Sequence, residues 1–578
     1  MRARRLCNGL AMGVLGACCL AVTLHGAATR VAEAARDGDR DGVRTLLKQG
    51  ADVNEALGDG VTALHWAARH GDAEMARLLL LAGGSALATT RSGRFTPLHL
   101  AAERGSAPVI VGLLGAGADA NARTSTGATP LMLASGTGEV AALGALLDAG
   151  ADPNAAETFR GQTALMWAAA ANHVAAVKLL IAKGADPNKA TKVLDFAALS
   201  RDGSNPDGRN LPTQAAGRDA TPTTGLGAGP AQAPAARRVA MPGVDRTYLI
   251  NELVYAQGGF APIHYAVRDG HAGVVSALLA AGVNVNTVTG GDRTSPLLVA
   301  TVNGHFDIGK MLLEQGADPN LAGENGATPL YAAINVQWAA KAAYPQPTAQ
   351  LNQHTGYLDY MRLLLDKGAD PNQRVNKKVW YSEYNFDQSG VDEVGATAFW
   401  RAAYAADVDA MKLLVSYGAD PNIPSIKPPG RPQTGDAGAR DFKDVSGLPP
   451  IVMGGPAVPA IIAAAGAGYG EGFAANSRRH APHGMLAAVK YLVEELHADP
   501  NARDHEGNSV LHNAAARGDN EMILFLVSKG ADVTVVNREG QTTADMANGP
   551  VQRTQPFPET LALLAKLGAR NNNKCLSC

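Results

Sequence analysis

The sequence contains few cysteines, and they occur only near its two ends. Of the five cysteines in 578 residues, three lie within the first 28 residues and two within the last four. The first three are Cys7, Cys18 and Cys19, and the last two are Cys575 and Cys578. The long region between them has no thiol, which is compatible with an oxidising compartment.

A predominance of one charge is also lacking. The chain carries 51 Lys and Arg residues against 53 Asp and Glu residues, a formal charge of −2, and the two signs are interspersed along it. A nucleic-acid-binding protein concentrates basic residues on one face or in one stripe. No such stripe is visible, so the composition argues against a nucleic-acid partner.

Long apolar runs are absent except near the N-terminus. Three arginines among the first five residues precede a mostly apolar stretch, residues 6–24, and three small residues follow it. This order is typical of a secretory signal peptide over residues 1–28, and a permanent membrane span would need about 20 apolar residues. We therefore expect an exported protein, periplasmic or secreted. Two alternatives are an uncleaved anchor and a lipoprotein, since residues 15–18 resemble a lipobox ending in Cys18.

One unit fills most of the remaining chain, and residues 161–188 show it most clearly. Thr163 stands where a helix N-cap belongs, and an alanine-rich run follows it. A second apolar run contains Leu180 and ends at Gly184, in the position of a left-handed helix terminus. The Asp-Pro-Asn that follows is typical of a turn. The unit therefore predicts two short helices and a turn.

The glycine that opens this turn measures the repeat. Successive copies stand 34, 33, 33 and 34 residues apart, at Gly50, Gly84, Gly117, Gly150 and Gly184. Further copies, some of them degraded, occur at Gly282, Gly316, Gly368, Gly418, His497, Gly530 and Gly568. So many copies in phase predict stacked repeats, in which each unit packs only on its neighbours.

The starts of the units carry a second signature. Thr96, Pro97, Leu98 and His99 open one unit, and the Thr-Pro-Leu part recurs in two others. With the period, these residues resemble the ankyrin-repeat family. The resemblance covers most of the chain and implies an all-α solenoid of about 12 helix-turn-helix repeats, with β-hairpin-like turns and several loop insertions. It also implies a non-enzymatic scaffold that binds other proteins on its concave face and turn tips, although fold does not select the partner.

Irregular spacing sets the domain organisation. Residues 29–192 form a first block of repeats, 193–257 an insert rich in Pro, Gly and Ala, and 258–570 a second block. The insert has too few large apolar residues to offset its chain entropy, so we expect it to be largely disordered. Smaller insertions fall near residues 337–356, 373–392, 423–447 and 466–484, and a polar tail, 571–578, ends the chain.

Aromatic residues make up only 5% of the chain, which makes one insertion unusual. It holds, within eight residues, Trp380, Tyr381, Tyr384 and Phe386. Aromatic side chains bury a large area with little loss of rotamer freedom, and they dominate interface hot spots. We expect these four residues to contact a partner, together with Phe159 and Arg160 in an earlier turn. The alternative is a small hairpin that folds its aromatics back onto its own repeat.

Candidate catalytic and metal-binding residues are better explained by the repeat. Four histidines stand three residues after the Thr, Ala or Ser that starts a unit: His65, His99, His264 and His512. We expect these histidines to form structural hydrogen bonds within the turn. We assign one repeated core position of the first helix to Trp66, Trp167 and Trp400. His480 and His483 lack partners at metal-ligand spacing. We therefore predict no catalytic site, cofactor or metal, and do not expect an enzyme.

The C-terminal Cys-Leu-Ser-Cys is the remaining motif with chemistry. A C-x-x-C sequence is found in redox pairs, in zinc sites and, before a histidine, at haem attachment sites. No histidine follows Cys578 here, so covalent haem is not expected. A passive disulfide between Cys575 and Cys578, or two idle thiols, is the simplest interpretation. The alternative function is a redox or c-type-cytochrome-associated accessory protein that uses this pair.

Overall fold

The computed structural model of the protein consists of short helix pairs grouped in two compact units. The units are Met1–Ser125 and Thr126–Cys578. The residues described are 30–195, 256–339, 348–377, 379, 391, 393–427, 444–468, 479–482, 484–549 and 555–574. Within these stretches, no helix is long and apolar enough to cross a membrane.

Unit 1 contains repeats 1 to 3, each a pair of helices. The pairs are α1 (Val31–Arg36) with α2 (Arg40–Lys48), α3 (Ala63–His70) with α4 (Ala73–Leu81), and α5 (Pro97–Arg104) with α6 (Ala107–Gly115). The first helices, α1, α3 and α5, pack side by side, and α4 packs on α6. Their buried residues are mainly alanine and leucine. The alanines are small enough to let neighbouring helices approach closely.

Unit 2 contains repeats 4 to 12. Repeats 4 to 6 comprise α7 (Pro130–Thr137), α8 (Val140–Asp148), α9 (Ala164–Ala170), α10 (Val174–Ala182), the strands β1 (Val193–Asp195) and β2 (Ala256–Gly258), α11 (Pro262–Arg268) and α12 (Ala272–Ala280). Repeats 7 to 9 comprise α13 (Pro296–Val302), α14 (Phe306–Glu314), α15 (Pro329–Gln337), a 3-10 turn (Ala349–Asn352), α16 (Tyr357–Asp366), α17 (Ala398–Tyr404) and α18 (Val408–Ser416). Repeats 10 to 12 comprise α19 (Ala460–Ala464), α20 (Gly484–Lys490) continued by a π turn (Tyr491–Glu495), α21 (Val510–Ala516), α22 (Asn520–Ser528), α23 (Thr543–Ala547) and α24 (Pro558–Lys566).

The described residues thus form 24 helices and two strands of three residues. This confirms the predicted all-α fold and the number of repeats. Thr96 shows how a repeat begins, since its side chain accepts a hydrogen bond from the His99 N–H and Pro97 occupies the first helical position, which needs no donor. Gly105 then ends α5 in the left-handed conformation, with φ at 74°.

The predicted glycine register needs one correction. After α4, the left-handed position is held by Gly83, with φ at 87°, and not by Gly84. The first four steps are therefore 33, 34, 33 and 34 residues. Gly84 meets a different constraint, because a Cβ atom there would lie 2.9 Å from the carbonyl oxygen of Leu79.

Main-chain hydrogen bonds join the turns of successive repeats. In unit 1, the Arg91 N–H donates to the carbonyl oxygen of Asp59 at 2.8 Å. In unit 2, the Lys192 N–H donates to the carbonyl oxygen of Arg160 at the same distance. Each turn therefore pairs with the turn before it, which gives the connections their β-hairpin-like character.

Asparagines of the Asp-x-Asn turns form a second row of links. Asn320 Nδ2 donates to the Gly368 carbonyl at 2.8 Å, and its Oδ1 accepts from the Asp370 N–H at 2.7 Å. Equivalent pairs of bonds within their units are made by Asn54, Asn154, Asn286, Asn372 and Asn501. Asn422 makes neither bond, and its Nδ2 donates to Asp420 instead. The second helix of the next repeat differs from the others in ending with the π turn Tyr491–Glu495.

The long insert leaves the stack in register. Its two ends pair as an antiparallel sheet of β1 with β2. On either side, α9 packs on α11 and α10 on α12, and Gln162 Nε2 donates to the Tyr265 hydroxyl at 3.0 Å. Disorder is predicted for residues 193–257; of these, 193–195 and 256–257 belong to the two strands, and 196–255 lie outside the described residues. An insertion at a turn therefore leaves the helix packing on both sides intact.

Part of the chain assigned to a tail is docked on repeat 12. The Asn572 N–H donates to the carboxylate of Asp545 at 2.8 Å, and Gln541 Nε2 donates to the Lys574 carbonyl at 3.0 Å. Asp545 occupies the position that a histidine holds in several other repeats. Since a carboxylate only accepts hydrogen bonds, it binds the amides of the tail where those histidines bind a carbonyl oxygen of a following turn.

Candidate functional site

The residues predicted to bind a partner are only partly described. Trp380, Tyr381, Tyr384 and Phe386 lie outside the described residues, as do Cys18, Cys575 and Cys578. The predicted aromatic cluster, the C-x-x-C pair and the lipidation site therefore stay predictions. Phe159 and Arg160 are described, and they lie together at the tip of the turn between α8 and α9.

The buried side chain of Glu157 builds that tip. Its carboxylate accepts hydrogen bonds from the main-chain N–H groups of Phe159 and Arg160, both at 2.6 Å, and from that of Gln162 at 3.0 Å. The turn is thereby held in one conformation, because three donors converge on one carboxylate. Phe159 remains 67% exposed, with the Arg160 guanidinium 5.9 Å from its ring centre. The tip thus presents a rigid aromatic-basic pair to solvent.

A cavity of about 310 Å³ lies in unit 1 between the helices and turns of repeats 2 and 3. We call it the unit-1 groove, and its walls include Asp59, His65, Trp66, Arg69, Phe95 and Glu103. The Arg69 guanidinium lies 5.8 Å from the Trp66 ring centre. The groove therefore combines an aromatic floor with charged residues of both signs, which suits a polypeptide ligand.

The three tryptophans of the first helices do not share one position, so that prediction is wrong. Counting the capping residue as one, Trp66 and Trp167 stand at position five and Trp400 at position four. Trp400 is fully buried, and its indole N–H donates to the Val458 carbonyl at 2.8 Å. Trp66 and Trp167 are half-buried, and their indole N–H groups are buried without an acceptor.

The four histidines of the repeat starts have the structural role expected of them. In His264, the Nδ1 atom accepts from the Ala261 N–H at 3.1 Å and Nε2 lies 3.2 Å from the Thr287 carbonyl, so the neutral ring with its proton on Nε2 satisfies both bonds. Burial lowers the pKa of His264 to about 4 and that of His512 to about 4. Such rings link a helix start to a following turn and leave no nitrogen for catalysis.

Sequence reasoning missed a buried polar network in repeats 8 and 9. The carboxylate of Asp407, 2% exposed, accepts from the Trp338 indole at 2.7 Å, the Tyr357 hydroxyl at 2.9 Å and the Ala410 N–H at 3.0 Å. The main-chain carbonyl of Trp338 in turn accepts from the buried Arg401 at 3.0 Å. The one sequence signal for this network was an arginine at position five of a first helix, where most repeats have an apolar residue.

No metal-binding cluster occurs in the part of the chain that the structure describes. His480 Nδ1 lies 3.0 Å from the carbonyl of Ala481, and His483 is outside the described residues. Nothing in the described turns arranges a nucleophile, a base and an oxyanion site together.

Comparisons with known families match the geometry. A family model described as "Ankyrin repeats (3 copies)" matches residues 31–124, 98–191, 245–323 and 263–375, which together are 292 of the 578 residues. Models described as "Ankyrin repeats (many copies)" and "Ankyrin repeat" match residues 491–547 and 394–426. The matches fall on the helix pairs described above.

Individual relatives share only parts of the chain. "Ankyrin repeat protein nuc-2" of Neurospora crassa is 35% identical over 229 residues, which is 35% of this chain and 20% of the relative. A "putative ankyrin repeat-containing protein" of Treponema pallidum is 37% identical over 115 residues, 20% of this chain and 32% of the relative. A "putative ankyrin repeat protein" of Rickettsia felis is 31% identical over 126 residues, 22% of this chain and 50% of the relative. The chain spans at most half the length of the curated relatives it matches.

Proposed function

Because the chain belongs to the ankyrin-repeat family, whose repeats generally mediate protein–protein interaction, we propose that it is an exported, non-enzymatic scaffold. It binds partner proteins on its concave face and on the tips of its turns. The observation that carries this proposal is the unit-1 groove. Its volume of about 310 Å³ is enough for one or two side chains of a partner, and the half-buried Trp66 ring offers an aromatic surface.

The test begins with a partner recovered by pull-down with the full chain from native envelope extract. Calorimetry then compares its affinity for the wild type, Trp66→Ala and Val111→Ala. Val111 is a suitable control because it is 59% exposed on α6 and does not line the groove. Trp66→Ala should weaken binding by about 2 kcal/mol or more, roughly thirty-fold, while Val111→Ala leaves it unchanged. Wild-type affinity in a folded Trp66→Ala variant would remove the groove from the proposal.

The turn tips supply the second contact. Phe159 is presented by the Glu157-bonded turn, and the four aromatics from Trp380 to Phe386 belong to an insertion in the turn before α17. Trp380→Ala should weaken partner binding by about 2 kcal/mol and leave the melting temperature almost unchanged. A lower melting temperature with unchanged affinity of the folded fraction would favour the alternative, in which these rings pack on their own repeat.

Export is the part of the proposal that concerns location. It is supported by the order of basic, apolar and small residues in positions 1–28 and by the absence of cysteine from positions 20–574. Mass spectrometry of the mature protein should find an N-terminus near Ala28 or a lipid on Cys18. An intact Met1 on protein isolated from the cytosol would contradict export.

A second candidate function is favoured by the docked tail. Asp545 and Gln541 hold the chain as far as Lys574, the residue that precedes Cys575 in the sequence. A redox accessory protein would present the C-x-x-C pair that follows to an electron-transfer partner. Trapping with a thiol-reactive disulfide should then capture a mixed disulfide through Cys575 or Cys578. If the two thiols yield only their own disulfide, this candidate fails.

A further inference from the structure

One turn tip of the array binds a segment of the chain itself. Residues 444–449 lie across the turns that precede repeats 11 and 12, and Arg538 holds them there. The guanidinium of Arg538 forms an ion pair with Asp444, and its Nη2 donates to the Pro449 carbonyl at 2.7 Å. This tip therefore recognises a carboxylate together with a main-chain carbonyl oxygen.

Apolar side chains of the same segment lie against two glycines beside Arg538. A Cβ atom on Gly507 would stand 3.2 Å from Leu448 Cδ1, and one on Gly540 would stand 2.8 Å from Val445 Cγ2. Because both positions lack a Cβ atom, these side chains can approach the turns closely. The ligand of this tip is thus an acidic–apolar segment, which the chain supplies itself.

Lys192 occupies in the turn before repeat 6 the place of Arg538 in the turn before repeat 12. Each stands eight residues after the left-handed glycine that follows the preceding helix. Each main-chain N–H donates to a carbonyl of the turn before, at 2.8 Å for Lys192 and 2.9 Å for Arg538. A Cβ atom on Gly161 would lie 3.2 Å from Lys192 Cγ. The corresponding distance from Gly507 to Arg538 Cγ is the same, so the two pairs of turns share one backbone framework.

The tip around Lys192 presents similar chemistry without a described segment on it. We call it the repeat-5/6 tip, and it consists of Phe159, Arg160, Lys192 and Leu194, all four of them exposed. Phe159 is 67% exposed and Leu194 40%, so both offer apolar surface. Neither base forms an ion pair with a carboxylate of the described residues, and Lys192 Nζ donates only to the neutral Thr158 carbonyl. The surface that is covered at the repeat-12 tip is therefore open here.

The acidic groups near the repeat-5/6 tip do not replace such a ligand. The Glu157 carboxylate is buried under the turn and already accepts from three main-chain N–H groups. Asp195, at the end of β1, pairs with neither base. At the other tip the anion comes from the docked segment, as Asp444. A carboxylate that approaches the repeat-5/6 tip therefore meets two cations on a turn whose backbone Glu157 already holds in place.

We propose that the repeat-5/6 tip is a docking site for an acidic–apolar segment of a partner protein. The inference rests on the proposed protein-binding function and gives the partner's chemistry at one place. The partner's carboxylate pairs with Lys192 and Arg160, in the way that Asp444 pairs at the other tip. Its apolar side chain packs on Phe159. Single-stranded nucleic acid suits the tip less well, because proteins bind it with several aromatic rings along a basic groove, and this tip has one ring.

The test uses the full chain and a synthetic probe, the acetylated and amidated peptide Asp-Val-Ser-Gly-Leu-Pro, which is the sequence of residues 444–449. The same peptide with Asn in place of Asp is its uncharged match. Saturation-transfer NMR, observed on the peptide, measures weak binding to a protein of this size. The Asp peptide should bind saturably and the Asn peptide about fivefold more weakly. The difference should shrink as the salt concentration rises, because exposed charges are screened.

Variants of the tip locate the binding. The double variant Arg160→Gln/Lys192→Gln should bind the Asp peptide about fivefold more weakly, and Phe159→Ala about tenfold more weakly. The control is Lys183→Gln, which removes an exposed base of repeat 5 that is already paired with Asp148, and it should bind like the wild type. Melting curves by circular dichroism should stay at the wild-type temperature, because every substituted side chain is exposed.

A charge reversal separates direct pairing from any effect on folding. The variant Arg160→Glu/Lys192→Glu should lose the Asp peptide and should bind the peptide that begins with Lys instead. A variant with a damaged turn would bind neither peptide, and this result would count against pairing at the tip.

Three results would overturn the proposal. They are equal binding of the Asp and Asn peptides, equal binding by the wild type and the double Gln variant, and tighter binding of a short single-stranded oligonucleotide than of the peptide. Binding that appears only after deletion of residues 202–245 would also overturn it, because the tip would then belong to the chain's own insert.

None of these results depends on the unit-1 groove. If the recovered partner still binds through Trp66 while the Asp peptide does not bind, only the assignment of the repeat-5/6 tip fails. If the peptide binds as expected but no protein partner is recovered, the docking site stands and the scaffold function fails.

Discussion

The buried histidines should make the stability of the array depend on pH, and His264→Met isolates one of them. His264 is fully buried at position four of repeat 6. Methionine is the residue that this chain itself places at position four of repeats 4 and 5, as Met132 and Met166. The substitution therefore removes the titrating group with a side chain that the register accepts.

The expected magnitude follows from the folded pKa. Burial lowers the pKa of His264 from 6.5 to about 4, and nearby Asp292 opposes this only weakly. Below pH 6.5 the unfolded chain binds a proton that the folded chain refuses, so the stability from the neutral ring is complete above pH 6.5. It is lost as the pH falls towards 4. At 1.36 kcal/mol per pKa unit, the loss is about 3 kcal/mol over the whole window and about 2 kcal/mol between pH 7 and pH 4.5.

Urea unfolding of wild type and His264→Met, followed by helix circular dichroism at pH 7, 6 and 4.5, checks this. At pH 7 the variant should be less stable, since the Ala261 N–H and the Thr287 carbonyl lose their partner, at a cost of about 1–3 kcal/mol. At pH 4.5 the difference in free energy of unfolding between wild type and variant should be about 2 kcal/mol smaller than at pH 7, because only the wild type loses stability on protonation of His264 in the unfolded chain. The control is Val275→Ala, which truncates a buried, non-titrating residue of the same repeat. Its difference from the wild type in free energy of unfolding should be the same at all three pH values. A constant gap for His264→Met as well would refute the reasoning.

Three further predictions concern the array. Asn320→Ala removes two hydrogen bonds to the next repeat and should lower the free energy of unfolding by about 1–2 kcal/mol. Asn422→Ala, at the matching position without those bonds, should lower it by less than about 0.5 kcal/mol. Equal losses in urea unfolding would show that the asparagine bonds do not stabilise the contact between repeats. Leu180→Ala in α10 removes a fully buried side chain and should lower the free energy of unfolding by about 2–5 kcal/mol. An unchanged free energy of unfolding would mean that the packing of repeat 5 does not stabilise its neighbours. Deleting residues 202–245 should leave the melting temperature nearly unchanged, because β1 and β2 already close the insert at its base; a large drop would show that the deleted segment is packed.

The repeat itself was predictable because its signals are local. The capping Thr-Pro, the alanine-rich first helix and the left-handed glycine each act within a few residues, so they predict the helix pair without knowledge of its neighbours. The error of one residue at Gly84 has the same origin. Two adjacent glycines satisfy the pattern equally well, and only the backbone shows that Gly83 adopts positive φ while Gly84 passes close to Leu79.

The candidate sites were less predictable because they depend on contacts between repeats. The sequence indicated only that Phe159 lies in a turn, whereas its presentation comes from the buried carboxylate of Glu157. Trp400 was grouped with the other tryptophans by residue type, whereas its register makes it a substitute for a histidine, donating to the next turn. Composition could not distinguish these roles, since each depends on which carbonyl or amide the neighbouring repeat brings within reach.

By itself the sequence determined the class of fold, the approximate period and the number of repeats, because helix starts, helix ends and turns are specified by nearby residues. Only the tertiary structure decided which polar groups are satisfied. It gives Asp407 three donors and docks residues 572–574 on Asp545 and Gln541. Burial and hydrogen-bond satisfaction are properties of the stacked repeats, since partners some 30 to 70 residues apart meet only after the stack has formed.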